Sequence, residues 1–246
     1  MRVKDIISRV TLLYHDKDYI RLTKRQYLQM LDDALLQLVL TRPDSHENRE
    51  IMKLAVGAKQ QLPPNAIHLL DIYLNKEYIE ELDTYVDGKP VYQVSRKDLD
   101  YFNSAWYKNV NSNTHIDEFA YDLRTPKTFL VNPPVGNHSP VYVELGYSCP
   151  CDSFSLMPEE DDVIFEKELP ISEEYRNALV NYILYLCFSV NVTSENDQSI
   201  AARYLQVFMQ LLNAENTSSI VSAGHIKEDT TSGLGLYTAN SGSTGN

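Results

Sequence analysis

All eleven prolines of this chain lie between Pro43 and Pro170, with none in the first 42 residues or the last 76. Proline lacks a backbone N–H and clashes with the preceding helical turn, so long helices are confined to the two ends. At the C-terminal end, from Leu169 to Asn213, two apolar stripes stand out. Ser172 can cap a first helix, with Glu173 and Glu174 in the turn where the helix dipole favours acids. Tyr175, Leu179, Ile183, Leu186 and Val190 then recur at helical spacing. The Val-Asn-Val-Thr run breaks this stripe, and Ser194 with Asp197 opens a second helix in the manner of a capping box. Ile200, Tyr204, Phe208 and Leu211 form its apolar face. A short connection predicts two antiparallel helices, and such a pair cannot hide both stripes without help.

The N-terminal end supplies that help. Val3, Ile6, Ile7, Val10, Leu13 and Tyr14 predict a helix over residues 3–15. Thr23 with Gln26 forms another capping box, Leu22 with Tyr27 fits a hydrophobic staple, and Tyr27, Leu31, Ala34, Leu35 and Leu38 continue to Thr41, before Pro43. Between the helical ends, strand patterns fall at residues 52–56, 66–74, 91–94, 118–122, 129–131 and 141–145, bounded by Pro, Gly and Asn. Ser95 starts a short helix toward Tyr101 and Phe102. The predicted fold is α+β: a four-helix bundle (3–15, 23–41, 172–190 and 195–213) with an inserted small antiparallel β domain and an extended C-terminal tail. Residues 1–47 and 167–214 form the bundle, 48–166 the β-rich insert, and 215–246 the tail.

That tail holds five of the nine glycines and no charge after Asp229, so it cannot build a core. Ile220, Val221, Ile226, Leu234, Leu236 and Tyr237 are nevertheless spread through it, a pattern expected of a segment that orders on a partner.

The net charge of −12, from 22 basic and 34 acidic side chains, repels phosphates and anionic lipid and disfavours a nucleic-acid-binding module. No signal peptide or membrane span is expected, and three cysteines fit a reducing compartment. Cys149 and Cys151, with His138 nearby, suggest a metal site, but tetrahedral zinc needs four ligands and Cys187 sits in an apolar helix, so two reduced loop thiols are expected. Glu159-Glu160-Asp161-Asp162 lacks the alternation of a calcium loop and reads as a solvated acidic run. Nucleophile elbows, P-loops, H-E-x-x-H and dinucleotide fingerprints are absent, which disfavours a small metal-dependent or hydrolytic enzyme. His68 reads as a core or edge residue, Asp98 and Asp100 as helix-start carboxylates, and Trp106 with Phe102 and Tyr107 as core packing. Seventeen tyrosines exceed what such a core needs and favour assembly over catalysis. No catalytic residue, metal or cofactor is expected.

The order of several short motifs resembles the head-to-tail adaptor (connector) proteins of short-tailed bacteriophages, from about Ile6 to Leu212. The motifs are the Thr23-to-Leu40 helix with Arg42-Pro43-Asp44, Gln61-Leu62-Pro63 before Leu69-Leu70-Asp71-Ile72, and Pro126-Lys127-Thr128-Phe129 with Asn132-Pro133-Pro134. Tyr175-Arg176-Asn177-Ala178-Leu179 with Tyr182-Ile183-Leu184-Tyr185, and Ala202-Arg203-Tyr204 with Phe208-Met209, complete it. The resemblance implies a non-enzymatic virion protein of the neck, assembled in the host cytoplasm as a homo-oligomeric ring of about twelve copies between portal protein and a tail or nozzle protein. Genomic DNA would pass through the ring without sequence-specific contacts, and the C-terminal segment, with its six apolar residues, would reach onto the portal.

Overall fold

A computed structural model describes residues 1–102, 104–108, 114–137, 140–190 and 195–228, with side chains as far as residue 213. Among these residues are six α-helices and eight strands.

Helix α1 (Val3–Leu13) starts where the Asp5 carboxylate accepts the Arg2 backbone N–H at 2.8 Å, and it buries Val3, Ile6, Ile7 and Val10. Helix α2 (Lys24–Thr41) is capped by Thr23, which accepts the Gln26 N–H while the Gln26 side chain accepts the Thr23 N–H at 2.8 Å. The loop between them turns on Asp16. Its buried carboxylate accepts the N–H groups of Ile20, Arg21 and Leu22 and the Tyr27 hydroxyl.

Helix α5 (Arg176–Val190) buries Ala178, Leu179, Val180, Ile183, Leu184 and Cys187, an arc too wide for one neighbour. Helices α1, α2 and α6 (Glu195–Glu228) all pack on it. Phe208 of α6 meets Tyr182 at 4.9 Å between ring centroids, and Tyr204 stacks on Phe188.

Strands β1 (Glu47–Lys53), β8 (Tyr142–Ser148), β3 (His68–Ile79) and β4 (Thr84–Pro90) form one sheet in that order. Strands β2 (Gly57–Gln61), β7 (Thr128–Val135), β6 (Glu118–Tyr121) and β5 (Tyr92–Gln93) form the other. Ile72, Val143 and Leu145 from the first sheet share one core with Phe119, Phe129 and Val131 from the second. Helix α3 (Arg96–Phe102) covers the outer side of the second sheet, where Leu99 and Trp106 cluster with Ala120. Asn75, buried in β3, donates to the carbonyls of Lys89 and Ile116 and accepts the Ile116 N–H, so it fastens the chain entering β6 to the first sheet.

The return from the sheets is clamped to α2 from one side. Asp32 accepts the N–H groups of Phe154 and Ser155 and the Ser153 hydroxyl, and about two turns earlier Arg25 donates to the carbonyls of Ser155, Met157 and Glu159. Short helix α4 (Asp161–Phe165) follows and adds Ile164 and Phe165 to the helical core.

This architecture corrects the predicted one. It is α+β, but not a four-helix bundle with a small antiparallel insert. Among the described residues the helices number six, α1, α2 and α6 pack around α5, and the sheets are two of four strands each. Nor is the β part wholly antiparallel, because β5 pairs with β6 in parallel. Two strands left no alternating apolar pattern: β2 is Gly-Ala-Lys-Gln-Gln, and most of β4 is exposed. The extended tail is corrected too, since α6 continues through Glu228. Ser172 makes no side-chain cap. It precedes a 3-10 turn, Glu173–Tyr175, that leads into α5. Ser194 lies outside the described residues.

Candidate assembly surfaces

The titratable groups singled out in the sequence are mostly tied into the fold. Burial pushes the Cys149 thiol up, and pushes those of Cys151 and Cys187 to about 12, so all three are protonated and poor nucleophiles near neutral pH. His46 adjoins Cys149, its Nδ1 2.9 Å from the Cys149 carbonyl, while His138 lies outside the described residues. Among the described residues no group of three His, Cys, Asp or Glu side chains is placed to hold a metal ion. Ser95 and Asp98 bond to each other at the start of α3, and Asp100 accepts the Trp106 indole N–H at 3.0 Å. Trp106 is buried as expected, and His68 Nδ1 lies 3.4 Å from the Tyr121 hydroxyl. The acidic run is less free than expected: Asp162 pairs with Lys24, Asp161 with Arg25 at 2.8 Å, and Glu159 with Lys167 at 2.6 Å.

Of the six apolar residues expected to meet a partner, Ile220, Val221 and Ile226 lie on α6. Leu234, Leu236 and Tyr237 lie outside the described residues. Helix α6 has 34 residues against 15 in α5, so more than half of it has no α5 residues to lie against. No described helix is long and apolar enough to cross a membrane.

Among the described residues the most exposed aromatic side chains sit on the β part. On α3, Tyr101 and Phe102 are 87% and 85% exposed, with rings 5.6 Å apart. Tyr101, two positions from Leu99, points away from the sheet, and Phe102, though three positions on and so on Leu99's side, is the last residue of α3 and stays in solvent. The predicted core role of Phe102 is therefore corrected.

The β3–β4 hairpin is a second such surface. Strand β8 pairs with β3 only as far as Lys76, so beyond it the hairpin is a two-stranded prong. Tyr78, Tyr85 and Tyr142 stiffen it, with ring centroids 5.1 to 6.4 Å apart, and the Tyr78 hydroxyl donates to Asp83 at 2.6 Å. Residues 77–88 contain Glu77, Glu80, Glu81, Asp83 and Asp87 and no base, and Leu82 at the tip is 68% exposed. That uninterrupted acidic run was a usable signal in the sequence. Where α3 starts, beside the β6–β7 turn, a cleft of about 770 Å³ is lined by Lys59, Arg96, Lys97 and Arg124.

The profile of the SU10 adaptor protein family matches residues 1–226. The chain belongs to this family. It is thus a phage adaptor, a structural component of the virion. The match spans both sheets and nearly all of α6, so the prong, the aromatic pair and the cleft all lie within the family region of this adaptor. It ends at Ile226, short of Leu234, Leu236 and Tyr237. No curated protein matches the chain.

Proposed function

We propose that this phage adaptor joins head to tail in a short-tailed virus. Copies form a homo-oligomeric ring of about twelve between the portal protein and a tail or nozzle protein, continuing the channel through which genomic DNA leaves the head. The carrying observation is family membership over residues 1–226. The exposed Tyr101–Phe102 pair and Leu82 at the hairpin tip support it, because solvent-facing aromatic and aliphatic groups are stabilised when a neighbour covers them.

The portal-facing element in this reading is the end of α6 and the residues after it, with Ile220, Val221, Ile226, Leu234, Leu236 and Tyr237 contributing apolar area. At about 1.5 Å per residue α6 is roughly 50 Å long, enough to reach past the helical core. A ring repeats each weak contact and makes attachment strong through multivalency. The lumen is acidic in this reading, in keeping with the net charge of −12, because a wall poor in fixed cations lets a duplex slide.

Electron microscopy of the full-length protein mixed with portal rings tests the reading. Decorated portals with a central channel are expected, and deletion of residues 215–246 should abolish decoration while leaving a soluble, folded subunit. Undiminished binding by the truncated protein would remove the tail as anchor. A lumen lined mainly by Lys and Arg would refute the sliding argument.

A further inference from the structure

Within the ring just proposed, we propose that the acidic β3–β4 prong of one copy docks in the basic cleft of the next. The prong is unusual within its own copy. Two-stranded ribbons are marginal in water unless something supports them, yet this one presents Leu82 to solvent at its tip. Its tyrosine cluster and the Tyr78–Asp83 bond hold its shape in advance, which lowers the ordering penalty of insertion into a partner. At its base Lys76 is already matched, bonding Asp87 at 2.5 Å and Glu144 at 2.6 Å. Glu80 and Glu81, nearer the tip, are exposed.

The cleft complements it in charge and in character. On a chain with a net charge of −12, Lys59, Arg96, Lys97 and Arg124 converge around one depression. Arg124 is matched by Asp122 at 2.5 Å and Arg96 approaches Asp100 at 3.7 Å. Among the described residues neither Lys59 nor Lys97 has a carboxylate partner. Leu123, 70% exposed at the cleft wall, offers the tip leucine an apolar contact. The volume, about 770 Å³, falls within the roughly 300–1,000 Å³ that suits a compact ligand. Prong and cleft are different surfaces, so their contact can be heterologous, the type that repeats from copy to copy and closes into a ring.

Charge reversal with complementation tests this. Rings are assembled on portal-bearing heads from an equal mixture of isotopically heavy and light full-length protein, then treated with a carbodiimide that joins touching carboxylates and amines. Heavy–light links between Glu80 or Glu81 and Lys59 or Lys97 are expected. The exposed substitutions E80K/E81K and K59E/K97E should each cut incorporation into rings at least tenfold, with circular dichroism showing an intact fold. Mixing the two variants restores opposite charges at every junction and should recover most of the loss. Inter-copy links found only elsewhere, or a variant that incorporates like the parent, would overturn the prong-and-cleft contact while leaving the ring reading intact. A complete absence of inter-copy links in rings seen by electron microscopy would likewise overturn the contact, whereas heads that carry no rings at all would sink the ring reading and this contact with it.

Discussion

Replacing Asp16 with alanine should be among the most damaging single changes outside the apolar core. The carboxylate accepts four hydrogen bonds, from the N–H groups of Ile20 at 2.8 Å, Arg21 at 3.0 Å and Leu22 at 3.0 Å and from the Tyr27 hydroxyl at 3.0 Å. The Leu22 and Tyr27 donors are buried, and an orphaned buried donor costs about 1–3 kcal/mol; the other two, reached by water, cost less. The loop also holds His15 and Tyr19 at φ of 55° and 56°, left-handed conformations that each cost roughly 1–2 kcal/mol in a residue with a Cβ. Asp16 offsets that strain, and its loss should lower stability by about 3–6 kcal/mol, a large part of the 5–15 typical of a domain. D16N should fall between parent and D16A, because its amide keeps one acceptor but turns a donor toward donors. Burial raises the Asp16 pKa, yet the N–H donors and the tyrosine hydroxyl outweigh it and hold the group below its ordinary 3.8. With the folded pKa depressed, the contribution is complete above the unfolded value and disappears as pH falls through the folded one. Urea unfolding followed by circular dichroism at pH 7 and at pH 3 measures both effects. A D16A midpoint within about 1 kcal/mol of the parent at pH 7, or a parent–D16A difference that does not shrink at pH 3, would refute the reasoning.

Other outcomes can be checked with the same variants in hand. Leu35 and Ile183 share the helical core, so L35D or I183D should each cost several kcal/mol for an unpaired buried charge; soluble, cooperatively unfolding variants of both would contradict the α5-centred core. N75L should destabilise by about 2–4 kcal/mol by stranding the Ile116 N–H and two carbonyls, and hydrogen exchange at Ile116 should accelerate; unchanged exchange would show that Asn75 does not hold that segment. T23A should cost about 1 kcal/mol in thermal unfolding, and no loss would mean that the Gln26 partner alone suffices. Cys151 and Cys187 should react with a thiol reagent at pH 8 far more slowly in the folded chain than in urea; equal rates would show that burial does not protect them.

Where one face of an element is apolar and its ends carry caps, the sequence was readable. Thr23 and Gln26 marked the start of α2, and the stripe through Tyr27 and Leu38 marked its buried face. Val143 and Leu145 did the same for β8. Elements whose environment is set by distant neighbours were not readable. Strand β2 is held by its ladder to β7, and β4 by its ladder to β3, and neither pairing leaves a local apolar period. The arrangement of the helices eluded periodicity for a related reason. A stripe shows that a face is buried, but the breadth of α5's buried arc is what makes it the hub. The basic cleft gathers Lys59, the Arg96-Lys97 pair and Arg124 from three separate stretches, so no local charge count could reveal it.

The chain leaves the helices beside His46 and comes back beside Cys149, and those two residues are joined by a Cys149 N–H to His46 carbonyl bond of 3.4 Å. For the helices, the roughly one hundred residues between are a closed loop whose closure entropy alone is on the order of 4 kcal/mol. In the folded chain that penalty is met by the pairing of β1 with β8, which joins Glu47 to Ser148, and not by the contacts between helices. The neck at His46 and Cys149 therefore presents the N-terminal and C-terminal helices to each other as though they were neighbours in sequence, and changes within the sheets that keep β1 and β8 paired leave the meeting of α2 with α5 in place.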